Sequence, residues 1–130
     1  MSKEKNAKIS EFQFTNPLVT EFSFLVNKNY RAGINTNMPI QYNCDQDRVG
    51  QFGAVKKLNM VIGDEESPFK INATIEANFS WSEKIPEDIA LTLLNQNAVA
   101  LLISYLRPLI AHITTDAGFA PLNLPYLDVR

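Results

Sequence analysis

Asn97 to Val129 reads NAVALLISYLRPLIAHITTDAGFAPLNLPYLDV. Between Ala98 and Ile113 the apolar residues are Ala98, Val99, Ala100, Leu101, Leu102, Ile103, Tyr105, Leu106, Leu109, Ile110, Ala111 and Ile113. A helix at the surface of a monomer shows one apolar stripe, whereas on a 3.6-residue wheel these positions spread over most of the circumference. Such a helix needs cover on two sides, and one small sheet supplies only one. The remaining surface calls for a second subunit or a bound ligand, because large exposed apolar patches mark interaction sites. Gly118 is placed to end the helix just after Asp116. Pro108 removes a backbone bond inside it, which predicts a kink after Ser104. The extended run Pro121-Leu122-Asn123-Leu124-Pro125 follows.

Working back from this helix, Pro86-Glu87-Asp88 supplies a helix start, with acidic residues where the dipole favours them. Asn95-Gln96-Asn97 interrupts the helical pattern, leaving a short turn before the long helix. From Phe69 to Trp81 the odd positions are all apolar and the even ones polar, the period of a strand with one buried and one wetter face. In 52–62, Leu58, Met60 and Ile62 alternate while Val55-Lys56-Lys57 breaks phase. The polar connection Gly63-Asp64-Glu65-Glu66-Ser67-Pro68 then predicts an antiparallel hairpin with 69–81. A second alternation, Tyr30, Ala32, Ile34, Met38, Ile40 and Tyr42, predicts a strand with an edge or bulge at Pro39. Upstream, 9–15 and 18–26 place Phe12, Phe14, Phe22 and Phe24 at spacing two around Asn16-Pro17. They form one long kinked strand or two short ones.

A length of 130 residues fits a single domain, 1–130, able to bury roughly two-thirds of its unfolded surface. The net charge of −2 and pI near 5.3 argue against nucleic acid, which needs clustered Lys and Arg. Cys44 is the only cysteine, and MSKEKNAKISEF lacks the apolar core of a secretory signal; both predict a cytoplasmic protein. The longest uninterrupted apolar run, Ala98 to Ile103, is far short of the roughly 20 residues of a membrane span.

No active site emerges from the residue types. A nucleophilic pair requires Cys44 with His112, singletons in different elements with no orienting third group; His112 fits the C-terminal end of the helix dipole. Asp45-Gln46-Asp47-Arg48-Val49-Gly50 imitates the opening of a calcium loop, but Val49 and Lys56 occupy ligand positions. Neither a phosphate loop nor zinc spacing is present. The chain is therefore expected to be non-enzymatic, with no metal and no cofactor. The surplus of large apolar and aromatic side chains points to oligomerisation or polypeptide binding.

The acidic-turn hairpin, the strand ending in Trp81, the segment Ile103-Ser104-Tyr105-Leu106-Arg107 and the closing Gly118-Phe119-Ala120-Pro121-Leu122-Asn123-Leu124 together resemble the SecB family of export chaperones. That family carries F-P-Y-x-R in its helix, followed by G-x-F-P-x-L-N-L or G-F-P-P-L. Tyr105 and Arg107 match, Ile103 stands for the aromatic, Ser104 replaces the proline, and the helix-breaking proline has moved to Pro108. The motifs cover about Asp64 to Val129; before that only the strand pattern agrees.

The resemblance implies an α+β subunit, a four-stranded antiparallel sheet with one long kinked helix packed on one face. It implies a bacterial homo-oligomer, a dimer of dimers with Leu102, Leu106, Leu109 and Ile113 at the interface, which supplies the helix with its second cover. Family members hold non-native polypeptide in apolar grooves without nucleotide or catalysis. Here the groove candidates are Phe12, Phe14, Tyr105, Leu122 and Leu124, and Glu65 and Glu66 match the family's acidic turn for partner contact. The sequence ends at Arg130, where the family continues into a second helix and a motor-binding extension, so the resemblance is to a shortened member. Such members include proteins of toxin and antitoxin systems. The alternative reading is a dedicated interaction module serving a single partner.

Overall fold

The computed structural model describes residues 3–31 and 38–130. Its elements are β1 (Phe12–Phe14), β2 (Leu18–Val26), β3 (Ile40–Arg48), β4 (Gly53–Ile62), β5 (Phe69–Trp81), α1 (Glu87–Asn95) and α2 (Asn97–Asp116). All strand pairs are antiparallel.

β5 is the axis of the sheet. Its alternating set from Phe69 to Trp81 is buried throughout, none of it more than 5% exposed, as its period required. β4 pairs along one side of it without slippage, from Gly53 opposite Ser80 to Ile62 opposite Ile71. Both β1 and β2 pair along the other side, with a register shift between Val19 and Glu21. The sheet is thus four strands wide, its first position built in two pieces around Asn16-Pro17. β3 closes the far edge against β4.

The turn between β4 and β5 depends on Gly63. Its φ is +93°, and a Cβ there would lie 2.3 Å from the carbonyl oxygen of Phe69, so only glycine fits. Beyond it, the Asp64 carboxylate accepts from the Glu66 N–H at 3.0 Å, and Asn27 at the end of β2 donates to the carbonyls of Glu65 and Ser67.

Two expectations need correction. The strand expected over 30–42 is instead Ile40–Arg48; Ala32 and Ile34 lie outside the described residues, and Tyr30 and Arg31 are not in a strand. The imitation calcium loop is therefore mostly strand. β4 also keeps its phase through Lys56, which is 5% exposed and aligned with Ala54, Leu58, Met60 and Ile62. Its ammonium donates to Gln46 Oε1 at 3.1 Å from the neighbouring strand. A long amphipathic side chain can occupy an inward position when a polar partner meets its tip, and hydropathy alone reads that as a break.

The two helices pack on the inner face of the sheet. Glu87 and Asp88 occupy the first turn of α1, and the helical run breaks at Gln96, with φ −120° and ψ −66°. α2 continues through Pro108 to a Schellman stop: Gly118 has φ +98°, its N–H donates to Thr115 O and that of Phe119 to Thr114 O. Phe119 then enters a cluster with Phe24 and Phe69, ring centroids 6.0 and 4.9 Å away. By length and composition Glu87–Asp116 could cross a membrane. In the fold, Ala98, Val99, Leu102, Ile103, Leu106 and Ile110 are buried.

The second cover for α2 comes in part from the chain itself. After Phe119 the chain turns back along the helix. Leu124 is 5% exposed, and Leu122, Leu127 and Val129 pack at the margin of the core. The expectation that the surface of α2 left by the sheet calls for another subunit or a ligand is corrected only in this part, which the chain's own tail covers.

Candidate polypeptide-binding site

Two aromatic clusters mark the ends of an apolar seam between the β1/β2 edge and α2. At one end Phe12 stacks on Phe79 and Trp81, with centroids 5.7 and 6.0 Å apart, and Phe14 meets Phe79 and Tyr105, each at 6.2 Å. At the other end lie Phe24, Phe69 and Phe119. Phe14 and Phe24 oppose Phe79 and Ile71 of β5, eight residues apart, so the seam is about 27 Å long at a strand's rise per residue. Between the ends, Val19 and Phe22 share the inner face of β2, and Leu109 and Ile113 are half-buried on α2. Among the described residues β1 and β2 pair along this edge only with β5, leaving backbone donors and acceptors there for another strand.

Of the expected groove residues, Phe12, Phe14 and Tyr105 come together here, with Phe14 38% and Tyr105 44% exposed. Leu122 and Leu124 lie on another flank of α2, the latter buried. Glu65 and Glu66 are exposed in the β4–β5 turn. The expected interface set divides: Leu102 and Leu106 are fully buried in the subunit's own core and offer nothing to a partner, whereas Leu109 and Ile113 retain exposed surface. A helical wheel shows that α2 is apolar all round but not which flank the sheet takes.

At the aromatic end, the Arg48 guanidinium lies 5.1 Å above the Trp81 ring and pairs with Glu87, tying β3 to the start of α1. Trp81 Nε1 is buried without a hydrogen-bond partner among the described residues. Cys44 and His112 serve separate settings. The Cys44 thiol is half-buried on β3, and burial pushes its pKa up, with Lys56 partly offsetting the rise and Asp45 adding to it. His112 pairs with Asp116 one turn along α2 at 3.1 Å. Among the described residues no group of three or more His, Cys, Asp or Glu is placed to hold a metal.

Arg107 and Thr114 carry a role that sequence reasoning missed. Arg107 donates to the carbonyls of Leu124 and Pro125, and Thr114 Oγ1 accepts from the Leu122 N–H at 2.9 Å, fastening the tail to α2. The available signal was an arginine set in an apolar helix ahead of an extended, Pro-flanked segment.

This arrangement of sheet, helix and returning tail has close counterparts among solved structures. The SecB-like chaperone Rv1957 of Mycobacterium tuberculosis, in complex with a ChAD peptide from the HigA1 antitoxin Rv1956, superposes with a TM-score of 0.72 over 90% of this chain and 91% of that one, at 12% identity. The fold is SecB-like. A protein of unknown function from Streptococcus agalactiae matches with a TM-score of 0.55 over 92% of this chain and 100% of that one, at 16% identity. No protein-family profile and no curated protein matches the sequence. The likeness is one of backbone with few identical residues, and the α+β sheet with a long bent helix is the architecture the sequence motifs implied.

Proposed function

We propose that this SecB-like chain holds extended apolar stretches of non-native polypeptide along the β1/β2 seam, without catalysis. The observation that carries this reading is the Phe14–Tyr105 pair, two rings that keep more than a third of their surface exposed beside a free strand edge. An extended client can pair with the edge through its backbone and insert alternate side chains against the aromatics, which makes binding tolerant of sequence. The Mycobacterium relative, a chaperone with a peptide bound, supports the reading. Association through the exposed parts of Leu109 and Ile113 belongs to the same proposal, in the form of a homo-oligomer. The test is suppression of aggregation of a guanidinium-denatured client at stoichiometric amounts; no suppression at several-fold excess overturns it.

A second reading is a module dedicated to one protein partner. It draws on the antitoxin origin of the peptide in that relative. Recovery of one stoichiometric protein, together with failure to bind unrelated unfolded chains, distinguishes it from general holding.

A further inference from the structure

β3 is the far edge of the sheet. Ile40–Arg48 runs in unbroken register with β4 and carries no bulge, proline or lysine, three of the devices that blunt an edge. The opposite edge has two such devices, the break at Asn16-Pro17 and the register shift between Val19 and Glu21.

At the two ends of β3, the Val49 N–H donates to Gly53 O at 2.9 Å and the Gly63 N–H donates to Pro39 O at 2.8 Å. In an antiparallel ladder alternate residues turn both backbone groups toward the partner strand. The odd positions of β3 therefore face β4, while Ile40, Tyr42, Cys44, Gln46 and Arg48 turn their N–H and C=O groups outward. Among the described residues no hydrogen bond is made by these outward groups. The flank is open, with Gln41, Tyr42, Asn43, Asp45, Asp47 and Arg48 all exposed.

This edge is complementary to itself. When two copies meet antiparallel about a two-fold at Cys44, every outward-facing residue is paired: Ile40 with Arg48, Tyr42 with Gln46, and Cys44 with Cys44 of the second copy. On the face away from the helices, Asp45 then lies opposite Asn43 and Asp47 opposite Gln41, so each carboxylate meets an amide that can donate to it. Centring the pair one residue later sets Asp45 against Asp45, and like charges directly opposite destabilise. Centring it one residue earlier puts Arg48 opposite Met38, outside the strand. One register is therefore favoured, and an unfolded client carries no such matched set.

We infer that β3 is a self-pairing edge, on which a second copy of this chain adds its own β3 about a two-fold at Cys44 and so continues the sheet. The contact is separate from the α2 flank of Leu109 and Ile113 and from the β1/β2 seam, and it does not depend on the holding function.

Hydrogen exchange on the unaltered chain, free of client, tests this. The Tyr42, Cys44, Gln46 and Arg48 amides should exchange at least tenfold more slowly than in an unstructured chain; exchange at unstructured rates overturns the inference. Cys44 supplies a second reading, because an outward-facing pair there has its Cα atoms about 5.5 Å apart, within the roughly 4.4–6.8 Å that a disulfide spans. Diamide takes two electrons and two protons from the paired thiols and is reduced to its hydrazine, leaving a disulfide-linked dimer. Tyr42→Pro removes an outward N–H without removing a bond to β4, and should slow this linkage at least tenfold while the β5 amides stay protected. Equal linkage in the folded variant overturns the inference; if the variant loses β5 protection, exchange on the unaltered chain decides.

Discussion

The ring of Tyr105 stands edge-on to that of Phe14, centroids 6.2 Å apart and planes at 74°, across the boundary between α2 and the edge strand β1. Pairs of this geometry contribute about 0.5–1.5 kcal/mol beyond their buried area, and both rings remain partly exposed. Their value to folding is therefore small, while the surface they present to a client is large. Phe14→Ala and Tyr105→Ala are each expected to lower stability by about 1 kcal/mol in urea titration. Either change should weaken binding of an unfolded chain about tenfold, or about 1.4 kcal/mol, in fluorescence anisotropy.

Leu106 and Leu109 separate core from surface on one helix. Leu106 is fully buried in the subunit, so Leu106→Ala should cost about 2–5 kcal/mol. Leu109 is half-buried, and Leu109→Ala should cost about 1 kcal/mol while lowering the mass measured by light scattering if the exposed flank joins subunits. Equal destabilisation by the two changes would contradict the burial difference.

Gly63 and Gly118 both have positive φ, but only Gly63 is also crowded. A methyl at Gly63 collides with the Phe69 carbonyl at 2.3 Å, whereas one at Gly118 meets nothing within 4 Å. Gly118→Ala should thus cost about 1–2 kcal/mol from backbone strain alone. Gly63→Ala should cost about 3 kcal/mol or more, because the backbone itself must move. Denaturant midpoints of the two variants check the order.

Lys56 is nearly inaccessible, and Gln46 supplies its one hydrogen bond among the described residues. Replacing a buried charge with an apolar group of similar length removes a desolvation penalty. Lys56→Met is expected to be neutral or stabilising by about 1 kcal/mol. Gln46→Leu, which strands the ammonium, should destabilise by about 1–3 kcal/mol. Thermal denaturation of both variants, with opposite signs expected, makes the comparison.

Cys44 sets an alkaline limit. Burial raises its pKa above the ordinary 9.0, Lys56 partly offsetting and Asp45 reinforcing the rise. The folded state therefore holds the thiol proton more tightly than the unfolded state does. The resulting stability is fully present below about pH 9.0 and is lost as pH rises through the higher folded value. Alkylation by iodoacetamide should be slower in the native chain than in urea, with its inflection at higher pH; Cys44→Ser should flatten the alkaline part of the stability profile.

Sequence period made the β4–β5 hairpin legible, because a strand with one buried face must alternate and thirteen residues from Phe69 to Trp81 do so without exception. The Gly118 exit was legible too, since a left-handed residue just after an apolar helix has few other uses. The β3 bounds were not, because Gln41 to Arg48 carry mostly polar residues on an exposed edge and leave no hydropathic trace. Of the groove candidates that the SecB resemblance implied, the fold brings Phe12, Phe14 and Tyr105 near one another. Nothing local distinguished Leu106 from Leu109 or tied Arg107 to a tail seventeen residues away.

The sequence by itself determined the β4–β5 hairpin and the two ends of the helical region, since period, glycine at positive φ and helix-end chemistry act within a few residues. Only the tertiary structure decided which flank of α2 faces the sheet, and that the chain's own C-terminal segment covers another flank. Those choices depend on competition among several apolar faces for one sheet, and that competition is settled by packing between residues far apart in the chain.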